Sequence, residues 1–465
     1  MVVNRFRYAS CLVAFLSFFW GLSQPALSLV EPEVKAWQQL VVRIQDQFAV
    51  EGADILAEAA ESVGELGSEL AAAPFSELMA ELEERRGLKF KYFTPWHVKD
   101  KEKFRMFIRS ELEKEYTPEK ALHEESVLKV LGLVPLDFQI VSFMEDLLTD
   151  AVAGVYDPAA DQFFLVDMVK GQGLGNALKS RATNHLLGDM SSAVIIHELD
   201  HALGGQHFSL REAFDRLMEN STMDQRLAVL ALVEGDATFV MTDHQQKRPA
   251  NAAGAETALA GTDLLTDMLV NFPVPLPGMG KFGEAPLFFK KSLIFPYYGG
   301  AEFVSALRHS DQGWKAVNAS YQTLPNSTEQ IFHPDRYLFL LREPEIPDFK
   351  SLPDSFADWE RLLDETGGEF LIRVVLEQHG VENYRQAADG WHGDRLRVFR
   401  NKVTGALGFY WAIRWDDEWE AEEFYDSLGS HLPFVVQQEK EVSFLSLAFT
   451  PEQLKTLRKA LGTEF

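Results

Sequence analysis

The chain has 465 residues, 46% of them hydrophobic and 25% charged, which suffices for a sizeable core and excludes a disordered chain. A formal net charge of −26 is repelled by nucleic acid and by anionic membrane surfaces, so neither is expected as a partner. One cysteine excludes a disulfide scaffold.

Residues 1–28 read as a signal peptide. Arg5 and Arg7 form a basic start, Cys11 to Leu22 an apolar stretch, and Pro25-Ala26-Leu27-Ser28 a cleavage region of small residues. Export to the periplasm or the outside is expected. Cleavage near Ser28 leaves no cysteine, and no later segment looks able to span a membrane.

Residues 29–130 read as helical. Val34, Trp37, Val41 and Ile44 recur at helical spacing, as do Leu56, Ala60 and Val63. Such helices either support an enzyme domain or cover it as a removable pro-segment, and the pattern leaves both open. A hairpin follows, with Gly154-Val155-Tyr156 and Phe163-Phe164-Leu165-Val166 flanking the turn around Asp157-Pro158.

Ser191-Ser192 is placed to cap a helix running through His201, and a second helix spans roughly Arg226 to Gln245. From Ala250 to Pro296 the Pro and Gly content predicts loops. Ser327 and Gln330 have capping-box spacing at the start of a short helix ending near His333, before Pro334. Arg342 to Asp354 reads as a linker. Beyond it come a helix, Phe370 to Gly380, strands Arg395–Phe399 and Gly408–Arg414, a helix near Glu420, and a last strand–helix pair. The fold class expected is α+β: a mostly helical domain with a small sheet (131–345), preceded by helices and followed by a small α+β domain (355–465).

The chemistry concentrates in His197-Glu198-Leu199-Asp200-His201. Residues four apart share one helix face, so both imidazoles can meet one cation. Glu198 falls beside the open coordination position, where a general base is needed. Zinc suits two His and a third ligand, although Co²⁺, Mn²⁺ or Fe²⁺ also fit such donors. With His at roughly one residue in forty and Glu at one in fifteen, a chain this long gives about 0.02 chance matches, which favours a metal over two solvated histidines. Asp200 is unusual inside such a motif and is placed to orient a ligand His.

Two candidates compete for the third ligand. His207 follows Gly204-Gly205, at the spacing by which metzincins break the helix and return a third His. Glu234 lies on the second helix, on the face of Leu227, Leu230, Ala231, Ala237 and Met241, where a carboxylate is costly without a cation. Gly235 and Ala237 would let that helix pack closely on the motif helix.

The run Leu232-Val233-Glu234-Gly235-Asp236-Ala237 resembles the glutamate helix of gluzincins, the thermolysin-like clan. More narrowly, the chain resembles secreted bacterial proteins with a Gly-Val-Tyr-Asp-Pro hairpin, a His-Glu-Leu-x-His-Ala-Leu helix ending in Gln-His-Phe, a Glu-Gly-Asp-Ala helix and a Ser-Thr-Glu-Gln-x-x-His-Pro segment. All four occur here in that order between Gly154 and Pro334, with a Gly-Trp-x-Gly-Asp-Arg match at Gly390 to Arg395. The resemblance implies a zincin-like fold, Zn²⁺ held by His197, His201 and Glu234, and hydrolysis of a peptide or protein substrate. It also implies a remote His or Tyr aiding the oxyanion, for which His333 and Tyr337 are the candidates; His333 reads equally as a helix-terminal cap beside Pro334, and Glu329, four residues away on the same helix, is placed to hold it. The competing class is a secreted binding or scaffold protein that keeps a zincin core without turnover. Trp391, Asp394 and Arg395 read as a structural turn with an ion pair.

Overall fold

The computed structural model describes residues 65–92, 96–100, 117–151, 154–157, 162–167, 184–210, 221–246, 280–340, 343–347 and 356–460, with parts of 105–113. The expected signal peptide, the helical pattern of 29–64, and the loops of 250–279 lie outside the described residues. Among those described, no helix is long and apolar enough to cross a membrane.

The fold is α+β. Helix α1 (Glu65–Arg86) leads to strand β1 (Trp96–Asp100), then to helices α2 (Pro118–Val130) and α3 (Ile140–Ala151). Strands β2 (Gly154–Asp157) and β3 (Gln162–Asp167) form the expected hairpin, and β1 adds parallel to β3, giving a sheet ordered β1-β3-β2. Helices α4 (Asn184–Phe208), α5 (Met223–Gln246) and α6 (Leu287–His309) form the centre of the helical part. Two short helices follow, α7 (Trp314–Ser320) and α8 (Thr328–Phe332).

Three local expectations are corrected. Ser191 and Ser192 lie inside α4, which starts two turns earlier at Asn184; Ser192 is buried, its hydroxyl 3.1 Å from Nε2 of His244. Helix α5 starts at Met223 because Thr222 and Gln225 close a capping box, each side chain accepting from the other's backbone N–H at 3.2 and 3.1 Å. Helix α6 covers 287–296, expected as loop, with Pro296 in its interior.

That misread helix fixes the geometry of the centre. Gly235 of α5 and Gly300 of α6 meet backbone to backbone: a Cβ on Gly235 would stand 2.1 Å from the carbonyl carbon of Gly300, and one on Gly300 would stand 1.9 Å from the Ala231 oxygen. The close approach foreseen at Gly235 is therefore made with α6 and not with the motif helix α4.

The C-terminal region forms a five-stranded antiparallel sheet ordered β4-β5-β6-β8-β7. Its strands are β4 (Trp359–Glu365), β5 (Trp391–Asn401), β6 (Leu407–Trp415), β7 (Val435–Glu439) and β8 (Val442–Leu447). Helices α9 (Gly368–Gln378), α10 (Glu418–Leu428) and α11 (Pro451–Ala460) complete it. Strand β6 alternates cleanly. Phe409, Trp411, Ile413 and Trp415 join the core shared with α5, α6 and α9, while Tyr410 and Ala412 face Leu454 and Leu457 of α11. One hydrophobic core thus runs from the central helices into the sheet. The segment expected as linker packs too: the Glu345 N–H donates to the His392 carbonyl at 2.8 Å.

Candidate metal centre

His197 and His201 lie one turn apart on α4, and Glu234 comes from the middle of α5. Their side chains are essentially inaccessible, 0%, 2% and 0% exposed respectively. Nε2 of His197 and Nε2 of His201 are 3.1 Å apart, and Glu234 Oε2 stands 3.3 and 3.5 Å from them. Among the described residues, this is the one group of three His, Cys, Asp or Glu side chains whose ligand atoms converge.

The donor set fits zinc. Ligand atoms arranged tetrahedrally about 2.0–2.1 Å from the ion stand about 3.3 Å from one another, which is the spacing of these three atoms. Neither oxygen of Glu234 has a well-formed hydrogen bond, although the carboxylate is wholly buried. An anion in that position is costly unless a cation meets it. Two His and one Glu leave a fourth position open, as catalytic zinc sites do.

Burial and charge act on the three groups in different directions. Burial depresses both imidazoles, and for His197 burial prevails, so its pKa is lowered. For His201, burial is outweighed by the charges of Glu234 and Glu198, and its pKa is raised to about 9. Burial acts to raise Glu234, yet the charge of His201 outweighs it and lowers the carboxyl. Glu198, next to His197 in the chain, is 0% exposed.

Beside the His–His–Glu group lies a second buried cluster. Arg86, at the end of α1 and 2% exposed, places Nε 3.1 Å from Asp200 Oδ1 and Nη2 2.8 Å from Asp236 Oδ2. The Tyr321 hydroxyl donates to the same Asp236 oxygen at 2.8 Å, and the Trp314 ring covers the guanidinium at 4.4 Å. Burial and the neighbouring Asp200 charge raise Asp236 to about 7 against the pull of Arg86. Asp200, expected to orient a ligand histidine, thus faces Arg86.

Helix α4 continues without a break through Gly204 and Gly205 to Phe208. His207 therefore stays on the helix, away from the cluster, with its Nε2–H donating to the Lys89 carbonyl at 2.7 Å. The metzincin-type return is not made. His333 caps α8 and pairs with Glu369 at 3.1 Å and Asp389 at 3.5 Å. Glu329, expected to hold it, pairs with Arg336 instead. Tyr337 donates to the Thr323 carbonyl at 2.6 Å and packs on Phe303. No hydrogen bond or ion pair joins His333 or Tyr337 to the His–His–Glu group; His333 engages its Nε2 and Tyr337 its hydroxyl elsewhere.

Sequence reasoning missed Arg86, Tyr321 and Tyr297. Tyr297, one turn before Gly300 on α6, stacks its ring over His197 with centroids 6.0 Å apart. The signal available for it was the pair of glycines that follows, which marks a helix crossing.

A family model described as a domain of unknown function, DUF8575, matches residues 360–444, from β4 into β8. No curated protein and no solved structure matches the chain.

Proposed function

We propose that this protein is a zinc-dependent metallohydrolase of the gluzincin type acting on peptides or proteins, with His197, His201 and Glu234 holding the metal and Glu198 as general base. The observation that carries the proposal is the convergence of three buried donor atoms 3.1–3.5 Å apart, with a second buried acid, Glu198, next to His197 in the chain. Zinc bound there would supply Lewis acidity toward a carbonyl oxygen and lower the pKa of a bound water to about 7.

The residues of the chain account for the rest. Glu234 would neutralise one of the metal's charges beside the two imidazoles. Glu198 follows His197 directly, so the backbone that orients the ligand also orients the carboxylate. There it takes the proton of the attacking water and passes it to the leaving group. Burial of all four side chains keeps competing water away and strengthens each charge interaction. Glu198 also separates this reading from a structural site, which needs no base and closes its fourth position with a protein ligand.

The test is Glu198→Gln, assayed on a mixed peptide library with metal content measured in parallel. Loss of cleavage by about 10²-fold or more, at unchanged zinc content, supports the assignment. A zinc-loaded protein that cleaves no peptide, protein or ester leaves a scaffold in its place.

A further inference from the structure

Helix α1 touches both ligand-bearing helices at charged, buried positions, and this goes beyond packing. We infer that Arg86 is a positioning residue of the metal centre, and that α1 is a permanent wall of it, not a removable covering segment. The inference rests on the metal reading above.

Asp200 immediately precedes the ligand His201, and Asp236 follows the ligand Glu234 by two residues. The Arg86 guanidinium spans them with two nitrogens of one edge, Nε toward Asp200 and Nη2 toward Asp236. It therefore ties the turn carrying His201 to the turn carrying Glu234. Without it, two buried carboxylates are left near each other, and their repulsion acts to part α4 from α5, the helices that carry His201 and Glu234. A planar fork offers two N–H groups in fixed directions, which an ammonium on a flexible stem reproduces only in part. Trp314 over its face and Tyr321 on Asp236 hold the fork in place.

A second junction repeats the pattern roughly 12 Å further along α5. His244 of α5 lies 2.8 Å through Nδ1 from Glu81 of α1 and 3.1 Å through Nε2 from Ser192 of α4. Between the junctions, Leu78 and Leu82 pack on Ile196, Leu199, Val240 and Met241. Past α1 the chain stays on α4: the Gln206 side chain accepts from Lys91 N at 2.8 Å and donates to the Tyr92 carbonyl at 3.0 Å. Departure of α1 would leave Asp200 and Asp236 without a counter-charge and uncover that apolar surface.

The experiment is zinc titration against a chromophoric chelator with the full chain, comparing wild type, Arg86→Met and Arg86→Lys, each checked for fold by circular dichroism. Arg86→Met is expected to bind zinc roughly 10- to 100-fold more weakly, with Arg86→Lys recovering part of that loss. A folded Arg86→Met with wild-type affinity overturns the inference, because a purely structural role lowers the melting temperature and leaves affinity unmoved. Should Arg86→Met fail to fold, hydrogen exchange on the wild type decides. Zinc is expected to slow exchange across residues 78–92 together with α4 and α5, and protection of α4 and α5 alone overturns it. A wild type that takes up no zinc overturns the metal centre itself, before any variant is compared.

Discussion

Gly235 and Gly300 cross with no side chain between them, and the residue beside Gly235 is Glu234 of the His–His–Glu group. The separation of α5 from α6 is thereby set by backbone contact, and the depth at which Glu234 enters the centre is set with it.

Alanine at Gly300 tests this. Its methyl would stand 1.9 Å from the Ala231 carbonyl oxygen, which no rotamer change relieves. Gly300→Ala is expected to destabilise by about 1–3 kcal/mol or more and to reduce zinc retention, read by thermal melting and metal analysis. Unchanged melting would mean that the helices part easily.

Thr328 joins α5 to the C-terminal region. Its hydroxyl donates to Asp224 Oδ1 at 2.5 Å and accepts from the Phe370 N–H at 3.1 Å. Thr328→Val leaves that buried N–H unpaired and is expected to cost about 1–3 kcal/mol in denaturant unfolding, with the metal centre still able to load. A loss below 0.5 kcal/mol, on the order of surface substitutions, would contradict this role.

His333 carries a pH signature through its pairing with Glu369. Burial acts to lower its pKa, but the hydrogen bond and charge of Glu369 outweigh it and raise it above the ordinary 6.5. The folded protein therefore holds this proton more tightly than the unfolded chain does. The resulting stabilisation is full below pH 6.5 and is lost as the pH rises through the raised folded value. Relative to wild type, His333→Gln is expected to lose on the order of 1 kcal/mol at pH 5.5 and less at pH 9, measured by denaturant midpoints. A pH-independent difference would remove the ion pair from the account.

Much of the centre was legible because its signals are local. The HExxH spacing and the apolar face around Glu234 singled out three side chains that the structure brings together, with the choice of Glu234 over His207 resting on the resemblance to gluzincins. The strands Arg395–Phe399 and Gly408–Arg414 were found, one residue to several short, because their alternation or apolarity is strong. Strand β4 was missed: at the sheet edge it stays half-exposed, and Trp359-Glu360-Arg361-Leu362-Leu363-Asp364-Glu365 reads as a charged run. Helix α6 was read as loop because Pro296, Gly299 and Gly300 are breakers by propensity, and only the crossing with α5 gives Gly300 its purpose. Arg86 was out of reach for a different reason. At the end of Glu81-Leu82-Glu83-Glu84-Arg85-Arg86 it looks like one more solvated charge, and its burial depends on Asp200 and Asp236, more than a hundred positions away.

The central claim is a metal held by two residues of α4 and one of α5, and metal analysis of the purified chain tests it most directly. Wild type, Glu234→Ala and His207→Ala would each be loaded with zinc, dialysed and assayed for bound metal. The account predicts one zinc per chain in wild type and His207→Ala and essentially none in Glu234→Ala. Zinc retained by Glu234→Ala and lost by His207→Ala, or no zinc in the wild type, would contradict it.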